Sequence, residues 1–177
     1  MGRNGTIKIT GSAICLALAF VLPILTGQLQ PTGNMLCPMH LPVLICGFLC
    51  GWQWGFAVGI IAPILRSLIF GAPTMFPRAV AMALELAAYG LLAGLLYKLL
   101  PKKIPGIYLS LLIAMVGGRA VWGIAQFLFA KILGTEFPLS AFIAGAVTNS
   151  LPGIAVQIIL VPLIVLALKK AKLIANE

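Results

Sequence analysis

The sequence predicts an all-α fold, an integral membrane bundle of six transmembrane helices with both termini cytoplasmic. Three observations point there. Of 177 residues, 62% are hydrophobic and only 8% charged, with a mean hydropathy of +1.14, whereas soluble domains carry roughly 25% charged residues. The apolar residues come in runs near the roughly 20 residues that a helix needs to cross about 30 Å of hydrocarbon. The basic residues behind the net charge of +9 lie in short clusters at the ends of those runs. That placement marks cytoplasmic loops, and the lack of a continuous basic face argues against a nucleic-acid partner.

The first span runs from about Ile9 to Leu25. Arg3 and Lys8 precede it as the basic region of a secretory signal would, but no clear small-residue cleavage site precedes "GQLQPTGN", so it is read as a helix. Residues 34–71 fit either one ragged span or two short ones turning at Gly51 to Gly55. Charge decides, because Arg3 and Lys8, then Lys98, Lys102 and Lys103, then Lys169, Lys170 and Lys172 share one side only if even numbers of crossings separate them. Two crossings are therefore expected, with "GWQWG" as a tight inner turn whose tryptophans lie at the interface. The second helix is short, since 17 residues separate the bounds Asn34 to Cys50 inclusive, and Pro38 and Pro42 predict a loop in its outer part. Later spans are Ala79 to Tyr97, Ile107 to Phe129 and Ala141 to Leu168, joined by "PKKIP" and "GTEFP". No repeat or low-complexity segment divides the chain, and residues 1–177 read as a single domain.

A charge at bilayer depth costs about 2.5 to 3.5 kcal/mol on insertion scales, so ionisable residues within spans face the interior or a cavity. Arg66 ends the third helix, Arg78 begins the fourth, Glu85 lies two turns deeper and Arg119 is mid-way along the fifth. Glu85 and Tyr89 share one helix face, as do Arg119, Trp122 and Gln126. Asn149, Ser150 and Gln157 add polar groups to the sixth helix, which Pro152 is expected to bend. With His40 in the first outer loop, the polar groups of the last three helices predict a pocket open to the outside. Simpler roles exist: Glu85 can neutralise Arg119 or Arg78, Arg66 and Arg78 can snorkel to headgroups, and His40 can orient the "CPMHLP" turn. One carboxylate does not cover three arginines, however, and the surplus positive charge favours an anionic ligand such as a carboxylate.

Enzymatic chemistry is not indicated. The chain has no paired-carboxylate site, no HExxH, no GxSxG, no second histidine and no Walker A motif, so no catalytic residue is assigned and any ATP must be spent by another subunit. Cys15, Cys37, Cys46 and Cys50 form no metal framework and read mainly as small hydrophobes. No cofactor and no metal are expected, the vitamin discussed below being cargo. In the first helix, Ala13 and Ala17 form a small-xxx-small face that permits close approach, either within the bundle or to a partner.

The stretches "LPVLICGFLCGWQWGFAVGIIAPILRSL" and "FPRAVAMALELAAYGLLAGLLY", in a six-helix chain of this size, resemble the substrate-binding S components of energy-coupling factor (ECF) vitamin transporters. The likeness covers nearly the whole chain and is strongest through helices 2 to 4. It implies a vitamin binder in a bacterial-type plasma membrane that docks through Ala13 and Ala17 onto a transmembrane scaffold protein carrying two cytosolic ATPase subunits, and topples to deliver its cargo. By position it places His40, Arg78, Glu85, Tyr89, Arg119, Trp122, Gln126 and Asn149 in the substrate pocket. Pantothenate or a folate-like anion suits such a pocket, and riboflavin and cobalamin remain open. Two other functions compete: a stand-alone metal or small-solute channel using Met35, Cys37, Met39 and His40 as soft ligands, and a membrane scaffold without a ligand.

Overall fold

The computed structural model describes residues 3–27, 37–135, 138–146, 150–171 and 174. It is all-helical, with no strand among the described residues. The helices are α1 (Arg3–Gly27), α2 (His40–Cys50), α3 (Trp52–Phe70), α4 (Val80–Leu99), α5 (Ile104–Leu133), α6 (Leu139–Ala146) and α7 (Leu151–Lys170). Five segments are long and apolar enough to cross a membrane: Gly5–Thr26, Trp52–Phe70, Met75–Leu99, Ile104–Leu133 and Leu151–Lys170. At 11 residues and 1.5 Å per residue, α2 is shorter than the hydrocarbon layer, and α6, at 8 residues, is shorter still.

Three boundaries differ from expectation. The turn between α2 and α3 is the single residue Gly51, at φ 97° and ψ 168°, where only glycine sits without strain. Trp52 and Trp54 are therefore helical, Trp52 exposed and Trp54 half-buried against the core. At its N-terminal end α2 begins at His40, with residues 37–39 forming a turn that holds Pro38, whereas Pro42, expected in a loop, lies in the first turn of the helix; residues 34–36 lie outside the described ones. The last expected span is two helices, α6 and α7. Pro152 does not bend a continuous helix but sits in the first turn of α7, where its missing N–H leaves no hydrogen bond unmade.

Helix α2 is almost wholly enclosed. Val43, Leu44, Cys46 and Phe48 are buried and pack with Leu86, Tyr89 and Ala93 of α4 into one core. The pairing of α3 with α4 is set by glycine: a Cβ on Gly55 would come within 2.7 Å of the Gly90 carbonyl oxygen, and one on Gly59 within 2.5 Å of the Leu86 carbonyl. Such backbone approach replaces the hydrophobic drive that lipid does not supply.

The lysine clusters gather at one end of the bundle. Lys169 Nζ donates a 2.8 Å hydrogen bond to the Lys102 carbonyl, tying α7 to the α4–α5 loop. Gly11 of α1 abuts Leu49 and Cys50 of α2, and Gly47 abuts Gly94 of α4, which brings Lys8 to the Lys98 end. The opposite end carries Arg66, Arg78, Arg119 and Lys131, with Arg119 the deepest of them.

Candidate functional site

At that opposite end the start of α2, the end of α3, the start of α4 and the second half of α5 converge. The His40 backbone N–H bonds the Cys37 carbonyl at 3.0 Å and closes the turn. Its side chain leaves the turn: His40 is 2% exposed and its Nε2 lies 3.2 Å from Glu85 Oε1. The orienting of the "CPMHLP" turn thus falls to the backbone, not to the imidazole. Glu85, also 2% exposed, takes the Arg119 Nη1 at 2.9 Å on the same oxygen. Of the two arginines that Glu85 was expected to meet, it meets Arg119. The Arg119 Nη2 donates to Cys37 Sγ at 3.6 Å, and the Tyr89 ring stands edge-on to His40 with centroids 5.1 Å apart.

The cluster is stable in an apolar bundle because its charges are paired and hydrogen-bonded; a lone buried carboxylate would not be. The 3.2 Å contact is a hydrogen bond when Nε2 carries the imidazole hydrogen and the Glu85 oxygen accepts it. The other ring nitrogen, Nδ1, is buried with no hydrogen-bond partner, as is the Arg119 Nε.

Around this cluster is a cavity of about 320 Å³ whose walls include His40, Arg78, Glu85, Arg119, Trp122 and Gln126. The structure thus brings together six of the eight side chains singled out in the sequence. Arg78 is exposed, in an irregular turn, Met75–Ala79, where Phe76 is extended (φ −124°, ψ 134°). Trp122 stacks on Phe142 of α6 at 6.1 Å and 25°. Tyr89 opens instead to an adjoining apolar cavity of about 380 Å³, shared with Arg119, Met115, Ile154 and Ile158. Asn149 lies outside the described residues. Ser150 bonds the Gly145 carbonyl at 2.8 Å, and Gln157 is buried in α7.

A third cavity, of about 340 Å³, shares Cys37, His40, Pro73 and Met82 with the first and adds Arg66. Arg66 was noted in the sequence as a charge at a helix end but not placed in the pocket. Its ambiguity with headgroup snorkelling hid it; the signal that could have found it is its position before "SLIFGAPT", where Gly71 (φ 66°) ends α3 and turns the chain back. Of the soft-ligand set, Met39 is buried in the core, Cys37 accepts from Arg119, and Met35 lies outside the described residues. No group of three or more His, Cys, Asp or Glu side chains is placed to hold a metal among the described residues.

Ala13 and Ala17 are both exposed, on the side of α1 that also exposes Ile14, Leu18 and Val21. Their small face is not used for packing inside the bundle.

A family model described as ECF transporter, substrate-specific component, matches residues 8–165. No curated protein and no solved structure matches the chain. The family match, together with five apolar helices of spanning length, makes this a multi-pass plasma-membrane protein and a transporter subunit. The chain belongs to the substrate-specific components of ECF transporters.

Proposed function

We propose that the chain captures a water-soluble vitamin or vitamin precursor at the outer face and delivers it inward when docked on an ECF scaffold protein and its two ATPase subunits. In this account there are six crossings: α2 is a short one, α6 and α7 together make the last, and both termini are cytoplasmic. The lysine-rich end then faces the cytoplasm, following the positive-inside rule. The observation that carries the proposal is the 320 Å³ cavity at the opposite end, walled by cationic, aromatic and amide side chains that a vitamin can use.

An anionic vitamin is favoured, pantothenate first, because Glu85 cancels one arginine and leaves Arg66 and Arg78 without a carboxylate among the described residues. The flanking apolar cavity at Tyr89 suits the uncharged body of such a ligand. Docking through Ala13 and Ala17 is supported by their exposure on α1, where they leave room for a scaffold helix to approach closely.

The test is a thermal-shift screen of water-soluble vitamins on the protein purified in detergent. A tight binder at about 1,000-fold excess over its Kd stabilises by about 4 kcal/mol. Pantothenate is expected to give the largest shift, and Arg119→Ala to abolish it by unseating Glu85 and the cavity wall. If no vitamin shifts the melting point and Arg119→Ala leaves uptake unchanged, the proposal fails.

A further inference from the structure

The three arginines at the cavity end differ in what they have left to offer a ligand. Arg119 has its charge paired with Glu85 and its Nη2 on the Cys37 thiol, leaving only Nε without a partner. Arg78 is exposed, and at an exposed position a single ion pair contributes little. Arg66 is different. Its Nε donates to the Ala72 carbonyl at 3.3 Å and its guanidinium lies 5.9 Å from the Phe70 ring centroid, so the fork is held in place. Its Nη1 is nevertheless buried without a hydrogen-bond partner, and no carboxylate among the described residues meets it. A buried donor without a partner favours an anionic oxygen.

The same cavity has a second unmet group. His40 lines both the 340 Å³ cavity with Arg66 and the 320 Å³ cavity with Glu85. In the neutral imidazole, with Nε2–H donated to Glu85, the buried and unpartnered Nδ1 carries the lone pair and is an acceptor. The residues that wall this cavity thus include Arg66, with an orphaned donor, and His40, a side chain 2% exposed with an orphaned ring nitrogen.

We propose that this cavity is a subsite in which Arg66 holds the acidic oxygen of the cargo and His40 Nδ1 accepts a hydrogen bond from an O–H or N–H of the same molecule. The cargo class is a hydroxy acid or an amide-bearing acid. This rests on the vitamin-binding account above and adds which arginine reads the acid and which donor must accompany it. Glu85 acts as a positioning residue: it fixes the tautomer of His40 and so makes Nδ1 an acceptor.

The chain has one histidine, so its imidazole nitrogens can be followed without ambiguity by ¹⁵N NMR of histidine-labelled full-length protein in lipid nanodiscs. The probes are 3-hydroxypropionate, 4-hydroxybutyrate and pantothenate, with butyrate lacking the hydroxyl and 4-hydroxybutyramide lacking the charge. The expected result is an Nε2–H tautomer at rest, and an Nδ1 resonance that moves with at least one hydroxy-acid probe. Butyrate and the amide should bind at least tenfold more weakly than 4-hydroxybutyrate if that probe is the one seen. Arg66→Gln should weaken binding by about tenfold or more and remove the Nδ1 shift. Arg66→Lys, which keeps the charge but not the fork, should fall between and guards against a folding defect in Arg66→Gln. An Arg66-dependent shift with the small acids while no vitamin binds sustains the subsite and removes the vitamin account. A vitamin that binds Arg66→Gln as well as wild type, with Nδ1 unmoved, does the reverse. No probe moving Nδ1 in an Arg66-dependent way overturns the proposal.

Discussion

Glu85 is one of three acidic residues in the chain, and it holds two partners at once, Arg119 at 2.9 Å and His40 at 3.2 Å. Because removing one member of a buried pair strands the other, Glu85→Gln should destabilise by about 3 kcal/mol, read as a lower unfolding midpoint in detergent. Glu85→Gln combined with Arg119→Gln should recover part of that loss, since neither charge is then orphaned; full additivity of the two would show that the pair is not coupled. At this scale the sequence was informative about residue type and depth. Helical spacing put Arg119, Trp122 and Gln126 on one face, and they share one cavity wall. Partner choice was not legible, because Glu85 could equally meet Arg78 until the relative height of α4 and α5 was known. Arg66 was likewise ambiguous, since a charge at a helix end looks the same whether it faces headgroups or a cavity.

Helices α3 and α4 meet backbone to backbone, so a side chain inserted there has nowhere to go. Gly59→Val should cost about 1 to 3 kcal/mol or more, because its Cβ would sit 2.5 Å from the Leu86 carbonyl, an atom that moves only with the helix. Gly117→Ala is the contrast: its Cβ meets only the end of the Leu92 side chain, which can rotate away, and a loss of under about 1 kcal/mol is expected. Equal losses in thermal unfolding would contradict glycine-set packing of α3 on α4. The spans themselves were largely readable from hydropathy, α1, α4 and α5 most closely. The separation of α6 from α7 was not, because "AVTNSLPG" keeps enough apolar residues for the run to look continuous. The helix-start signal is Pro152, which fits the first turn of α7 as well as it fits a bend. The reversal at Gly51 was also placed too broadly, since one residue at positive φ does what five were expected to do.

Across the whole molecule, the described lysines other than Lys131 collect at one end and the cavities lined by His40 and Arg119 lie at the other, while Ala13 and Ala17 face outward from α1. If that outward face is the docking surface, Ala13→Leu with Ala17→Leu should abolish co-purification with the scaffold and ATPase subunits and leave vitamin-induced thermal stabilisation intact. Retained complex formation would place docking elsewhere. The end-to-end division was legible from charge clusters alone, whereas the small-residue face of α1 could be assigned to a partner only once its exposure was known. One measurement bears on the side, the cavity and the cargo together. Cys37 lines the cavities at the arginine end and is the only cysteine not buried, so the unmodified protein in intact cells can be treated with a membrane-impermeant maleimide. The account predicts labelling of Cys37 from outside, slowed by the vitamin that stabilises the purified protein; labelling confined to inside-out vesicles, or a rate that no vitamin changes, would contradict it.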